Sequence, residues 1–160
     1  MADEYYDRDN ITYLDGTRIF KKRADTESEK EMARIIEAKA GVQLTPLGDL
    51  SPVDWVANQH GRVVGFMELK TRSHKSTKYP TVFLNVRKWL ALLLVEVGTD
   101  APSIFLVRFK DRLMSVRIRE VDASKMKMGG CKKIVKSDND IEPVIEGPIS
   151  SMKTVEVFEK

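Results

Sequence analysis

Apolar positions recur along this chain in two periods, and the alternation between the periods predicts an order of elements. Met32, Ile35, Ile36 and Ala40 repeat at helical spacing behind Asp25 or Thr26, either of which can cap a helix. Glu27, Glu29 and Glu31 fill the early turns, where negative charge suits the helix dipole, and Gly41 is a natural stop. Val42 to Leu50 reads as extended, ending near Ser51-Pro52 because proline does not suit a central strand. Val53 to Asn58 and Val63 to Thr71 form an antiparallel pair about the turn Gln59-His60-Gly61-Arg62. A polar loop, Arg72 to Lys78, leads to a strand-like Tyr79 to Leu84. Asn85 then caps a helix to about Val97, with Val86, Trp89, Leu90, Leu93, Leu94 and Val97 as its apolar face and Gly98 as its end. Ser103 to Phe109 and Leu113 to Arg119 alternate as half-buried strands joined by a tight Lys110-Asp111-Arg112 turn.

The two ends are less regular. Asp15-Gly16 within Ile11 to Phe20 is a hairpin signal, suited to an arm packed on the domain or on a second subunit. Beyond Val121 the periodicity fades. Gly129-Gly130 and Ser137 to Asp140 read as loops, with short strands near Lys132 to Val135 and Thr154 to Phe158. The whole predicts a mixed α/β plan, a central sheet flanked by helices. Its organisation is an arm over 1–25, a core over 26–120 and a C-terminal extension of the same domain over 121–160.

Composition narrows the class. A 160-residue chain that is 42% hydrophobic and 32% charged fits one globular domain and excludes disordered or collagen-like sequence. The single cysteine, Cys131, cannot form an internal disulfide, so a reducing compartment is expected. Met1 to Asn10 lacks the basic start and apolar core of a secretory signal. The most apolar run, Trp89 to Val97, is far shorter than the roughly 20 residues that span a bilayer. These features predict a cytoplasmic protein, in a host cytoplasm if the gene is viral, with no membrane partner.

Charge changes the picture more by its distribution than by its total of +3. Lys70, Arg72, His74, Lys75, Lys78, Arg87 and Lys88 follow one another with no acidic residue between Lys70 and Lys88. A solvated loop explains such a stretch, and so does a phosphate-binding groove. Arg87 and Lys88 fall in the first turn of a helix, where cations oppose the dipole and an anion is therefore expected. Trp55, Phe83 and Trp89 read as core rather than as base-stacking platforms. His74, alone in a loop, is an unpersuasive acid catalyst.

The chemistry-bearing residues lie just upstream. In a strand from Val63, Glu68 and Lys70 are two apart and share a face with Val64 and Phe66. Asp54 begins the preceding strand. A two-residue loop at His60-Gly61 sets Asp54 opposite Met67, on the wrong face. A three-residue loop centred on Gly61, or a bulge near Pro52 to Trp55, sets it opposite Glu68. Two adjacent carboxylates call for a hard divalent cation, with the Leu69 carbonyl as a further oxygen. Lys70 beside it could orient or activate a water and stabilise charge in phosphodiester hydrolysis. The plain alternative is a Glu68–Lys70 salt bridge with Asp54 as a strand cap.

Pro52-Val53-Asp54, followed fourteen residues after Asp54 by Glu68-Leu69-Lys70, resembles the signature of the PD-(D/E)xK nuclease superfamily. One residue separates the proline from the aspartate, a departure from the tightest form. The preceding helix, the hairpin, the basic loop, Tyr79-Pro80 and the Lys88-Trp89 helix resemble small phage-type, Holliday-junction-resolvase-like members, over roughly Thr26 to Phe109. The resemblance implies a restriction-endonuclease-like αβββαβ core. It also implies Mg²⁺, with Mn²⁺ as substitute, held by Asp54, Glu68 and the Leu69 carbonyl. Many members add a first-helix glutamate, and Glu29 is the best placed, ahead of Glu37 and Glu31. The resulting expectation is a Mg²⁺-dependent DNA endonuclease, acting on branched or recombination intermediates, without a small-molecule cofactor and with a homodimer as an option. Two other readings stay open: an inactive nucleic-acid-binding module of the same fold, and an assembly protein that binds a partner through the acidic stretch Asp138 to Glu146.

Overall fold

The computed structural model describes residues 5–6, 21–48, 51–130 and 141–158. The expected hairpin at Ile11 to Phe20, Cys131, the strand at 132–135 and the loop at 137–140 lie outside them. In chain order the elements are β1 (Tyr5–Tyr6), β2 (Lys21–Lys22), α1 (Arg23–Ala40), β3 (Gln43–Pro46), β4 (Trp55–Gln59), β5 (Arg62–Thr71) and β6 (Thr81–Asn85). There follow α2 (Val86–Thr99), β7 (Ser103–Arg108), β8 (Arg112–Arg117), β9 (Met126–Gly130), β10 (Ile141–Pro148) and β11 (Lys153–Val157).

A six-stranded mixed sheet in the order β11-β8-β7-β5-β4-β3 forms the centre. Only β5 and β7 run parallel, because the chain between them crosses over through β6 and α2. On one face α1 buries Met32, Ala33 and Ile36 against Met67, Leu69, Leu106 and Leu113. The other face presents Phe66, Phe105, Val107, Met114 and Val116 to Leu92 of α2 and to Val82 and Leu84 of β6. The period of two along β5 thus assigns Phe66, Glu68 and Lys70 to the α2 side, and Met67 and Leu69 to the α1 side.

Three expectations are corrected. β6 does not join the central sheet; it pairs with β10 in a separate three-stranded sheet, β6-β10-β9. Gly129-Gly130 is not a loop but the end of β9, where a Cβ on Gly129 would lie 2.4 Å from Val144 Cγ2. The acidic stretch Asp138 to Glu146 is likewise strand from Ile141 onward, and Glu146 pairs with Lys127 across β9 and β10.

The apolar face of α2 also differs. Leu92 and Glu96 are buried, whereas Leu90, Leu94 and Val97 are exposed. The sequence of α2 is apolar on nearly every side, so periodicity alone leaves its rotation open. Its partners settle the rotation: Ser103 N–H donates to Glu96 Oε2 at 2.8 Å, Ser103 Oγ–H donates to Leu92 O at 2.8 Å, and Arg119 pairs with Glu96. The helix runs one residue past Gly98 to Thr99, and Asp100, at φ 58°, closes it by donating its N–H to Glu96 O. Among the described residues no helix is long and apolar enough to cross a membrane.

Candidate active site

The site depends on a one-residue irregularity in the β4–β5 hairpin. Gln59 pairs with Arg62, so the turn holds only His60 and Gly61, with φ of 50° and 74°. Two successive positive values belong to the tight turn that suits the strand twist, and glycine takes the second without strain. Asn58 pairs with Val63, but Ala57 pairs with Gly65, leaving Val64 as the extra residue of a bulge. Beyond it Val56 faces Phe66 and Trp55 faces Met67, which brings Asp54 level with Glu68. The expected three-residue loop is therefore absent, and the bulge is on β5 rather than near Pro52 to Trp55. The register it produces is the one the carboxylate pair requires.

Asp54 is fixed from both sides of its carboxylate. Leu69 N–H donates to Oδ2 at 3.0 Å, and Lys88 Nζ donates to Oδ1 at 3.0 Å. The same Nζ reaches Glu68 Oε2 at 2.9 Å, so one ammonium bridges the two carboxylates. Glu68 is only 5% exposed. Burial pushes its carboxyl up to about 8; the Lys88 ammonium pulls against that, and Asp54 adds to it. Burial opposes the charge of Lys88, yet Glu68 and Asp54 outweigh it and hold the ammonium above its ordinary value. Lys70 is lowered, by burial first and then by the Arg72 guanidinium, with Glu68 pulling the other way.

The structure brings Asp54, Glu68 and Lys70 together, with the Leu69 backbone beside them. It does not bring Glu29. Among the described residues no three His, Cys, Asp or Glu form a group that could hold a metal ion. The reason is layering: α1 packs on the Met67 and Leu69 face, opposite the carboxylates. Glu31 pairs with Arg108 at 2.8 Å, and Glu37 accepts the Leu44 N–H at 2.8 Å.

The basic residues divide. Lys75, Lys78 and Arg87 are exposed. Arg72 is half-buried and donates from Nη2 to Phe83 O at 3.4 Å. His74 is packed, its ring 4.9 Å from that of Tyr79 and 5.7 Å from that of Phe109, with Nδ1 bonded to Lys75 O. Lys88 turns inward. The anion implied by its place in the first turn of α2 is supplied by the protein's own carboxylates. Sequence reasoning missed Glu142 of β10, which accepts a bond from Asn85 Nδ2 and whose charge works against the burial that lowers Lys70. No spacing rule could have found it, because β10 reaches the site only by pairing with β6.

The donor set suits a hard divalent cation. All the offered atoms are oxygen, and two carboxylates already converge on a single cationic nitrogen. Burial raises the Glu68 carboxyl by more than the Lys88 ammonium lowers it.

Comparisons with known proteins bear on the family and the fold. The model of a family described as "Phage putative PDDEXK endonuclease" matches residues 17–155. A solved structure of a Holliday junction resolvase, Hjc from the archaeal hyperthermophile Archaeoglobus fulgidus, superposes with a TM-score of 0.52 at 12% identity, covering 79% of this chain and 84% of that one. At that identity the likeness is one of fold. No curated protein matches the sequence.

Proposed function

The chain belongs to the phage putative PDDEXK endonuclease family, and from that premise we propose that it is a Mg²⁺-dependent DNA endonuclease whose reactive groups are Asp54, Glu68 and Lys70. The observation that carries the reading is the convergence of Asp54 and Glu68 on one cation, with Lys70 on the same face of β5. Asp54, Glu68 and the Leu69 carbonyl are the groups that would hold Mg²⁺ or Mn²⁺. Such a cation supplies Lewis acidity, acidifying a water and neutralising charge on the departing oxygen.

The chain's own residues do the rest. Leu69 N–H holds Asp54 Oδ2 in place, so one carboxylate is preorganised before substrate arrives. Burial and the Arg72 guanidinium lower the Lys70 pKa, which eases loss of its proton, and the amine so formed can accept the proton of the attacking water. The water oxygen forms the new P–O bond in line with the bond that breaks. Lys75, Lys78 and Arg87 receive backbone phosphates, with Arg72 and His74 shaping the loop that carries Lys75 and Lys78. A branched substrate is part of the proposal, supported by the fold shared with a Holliday junction resolvase. Symmetric incision of such a substrate needs two active sites and hence a homodimer.

The test titrates Mg²⁺ and Mn²⁺ into wild type and Lys70→Ala with labelled linear, nicked and four-way DNA. Cleavage by wild type alone supports the proposal, and the preferred substrate decides its branched part. One feature favours a second reading, a DNA-binding module without turnover: Lys88 already satisfies both carboxylates. Salt-sensitive binding with no cleavage at any metal concentration would select it.

A further inference from the structure

Lys88 is rooted in the first turn of α2, on the layer that faces Glu68, and its Nζ lies 3.0 Å from Asp54 Oδ1 and 2.9 Å from Glu68 Oε2. Both contacts are made by oxygens that a divalent cation would use. A metal takes carboxylate oxygens at roughly 2.0–2.6 Å. An ammonium hydrogen-bonded to the same two oxygens would then lie within a few ångströms of a doubly charged ion. The ammonium and the metal ion are both cations, so they repel each other and compete for the same two oxygens.

Resting on the nuclease reading, we propose that Lys88 is an internal counter-cation: it stands in the metal's place in the metal-free protein and is displaced when the metal binds. It is a positioning residue. By neutralising part of the charge between Asp54 and Glu68 it keeps the carboxylates converged, which their mutual repulsion would otherwise oppose. It also sets a threshold, since the metal must exchange with the ammonium rather than enter an open site.

The side chain suits this part. Lysine is a compact, strongly hydrated charge on a flexible four-carbon stem, so it can leave by rotamer change without moving the helix. Its position in the first turn of α2 places it at the positive end of the helix dipole, which favours departure once the carboxylates are satisfied by another cation. The lysine side chain is 20% exposed, so a route to solvent is open.

Two measurements without DNA test the exchange. Calorimetric titration of Mn²⁺ compares wild type with Lys88→Met and Lys88→Arg. Removing the competing charge should tighten binding at least about tenfold in Lys88→Met, whereas Lys88→Arg should remain near wild type. Amine-reactive labelling of wild type, read by mass spectrometry, should show Lys88 protected without metal and labelled when Mn²⁺ is added. Lys75 and Lys78 serve as exposed controls that do not change. Unchanged or weaker binding by Lys88→Met overturns the proposal and leaves the nuclease reading standing, provided Asp54→Asn abolishes binding. Absence of Mn²⁺ binding in wild type and Lys88→Met alike overturns both. If Lys88→Met does not fold, the labelling decides: Lys88 reactivity unaffected by saturating Mn²⁺ rejects displacement.

Discussion

Glu68 is the residue on which the site's electrostatics turn, because it is a carboxyl held in a place that disfavours its charge. Burial outweighs the Lys88 ammonium and raises it to about 8, well above the ordinary 4.5. Between those two values the folded protein keeps a proton that the unfolded chain releases. The metal-free protein should therefore be most stable below about pH 4.5 as far as Glu68 is concerned, and lose stability as pH rises towards 8. The loss is on the order of a few kcal/mol. Urea unfolding in a chelating buffer at several pH values measures it, and Glu68→Gln should flatten the slope in that window. A slope unchanged by Glu68→Gln would place the proton elsewhere. Lys88 titrates in another range: the stability that its raised pKa contributes is lost only above the ordinary lysine value.

At the scale of elements, the site exists because β5 carries one residue too many. Val64 is the bulge residue: were it paired in a continuous ladder, Asp54 would face Met67, on the α1 side of the sheet, and deleting Val56 from β4 produces that same shift with the bulge kept. The deletion variant should keep near-native circular dichroism and lose about a hundredfold or more in cleavage, the usual consequence of misplacing a reacting group by an ångström or more. Cleavage at wild-type rate by a folded variant would show that Asp54 is not needed where the register puts it. This element also shows what the sequence could carry. Glu68 and Lys70 two apart on a strand, and Asp54 needing an irregularity to join them, were legible from period and loop arithmetic. The identity of the irregularity was not, since Gly61 fits a tight two-residue turn as well as a longer one. The rotation of α2 was illegible for a related reason: its apolar residues surround it, and Ser103 and Arg119, both beyond the helix, draw Glu96 inward. Glu142 and the inward turn of Lys88 needed tertiary pairing that no local pattern encodes.

Across the whole molecule, the loop after β5 links the site to the surface that would meet DNA. Asp111, in the β7–β8 turn, accepts from Ser76 N–H and Oγ–H, both at 2.7 Å, while Lys110 N–H donates to His74 O and Arg72 N–H donates to Arg108 O. Asp111→Ala should cost about 1–3 kcal/mol in urea unfolding and open residues 72–78 to protease, because the buried Ser76 loses both partners. Thus tethered, the loop presents Lys75 and Lys78 outward while Arg72 is tied to Phe83 O. With a net charge of only +3, the protein has little general attraction for a polyanion, so these local charges must account for much of its salt dependence. Each phosphate neutralised releases counterions, and the slope of log affinity against log salt falls by roughly 0.9 for each contact removed. Replacing Lys75 and Lys78 together by Gln should therefore reduce that slope by about 2 and weaken binding by a similar factor on linear and four-way DNA. It should leave the single-turnover rate of the saturated complex near wild type, since neither lysine touches the carboxylates. A slope that does not change would move the phosphate contacts off this loop. A loss confined to four-way DNA would make the loop a reader of junction shape rather than of charge.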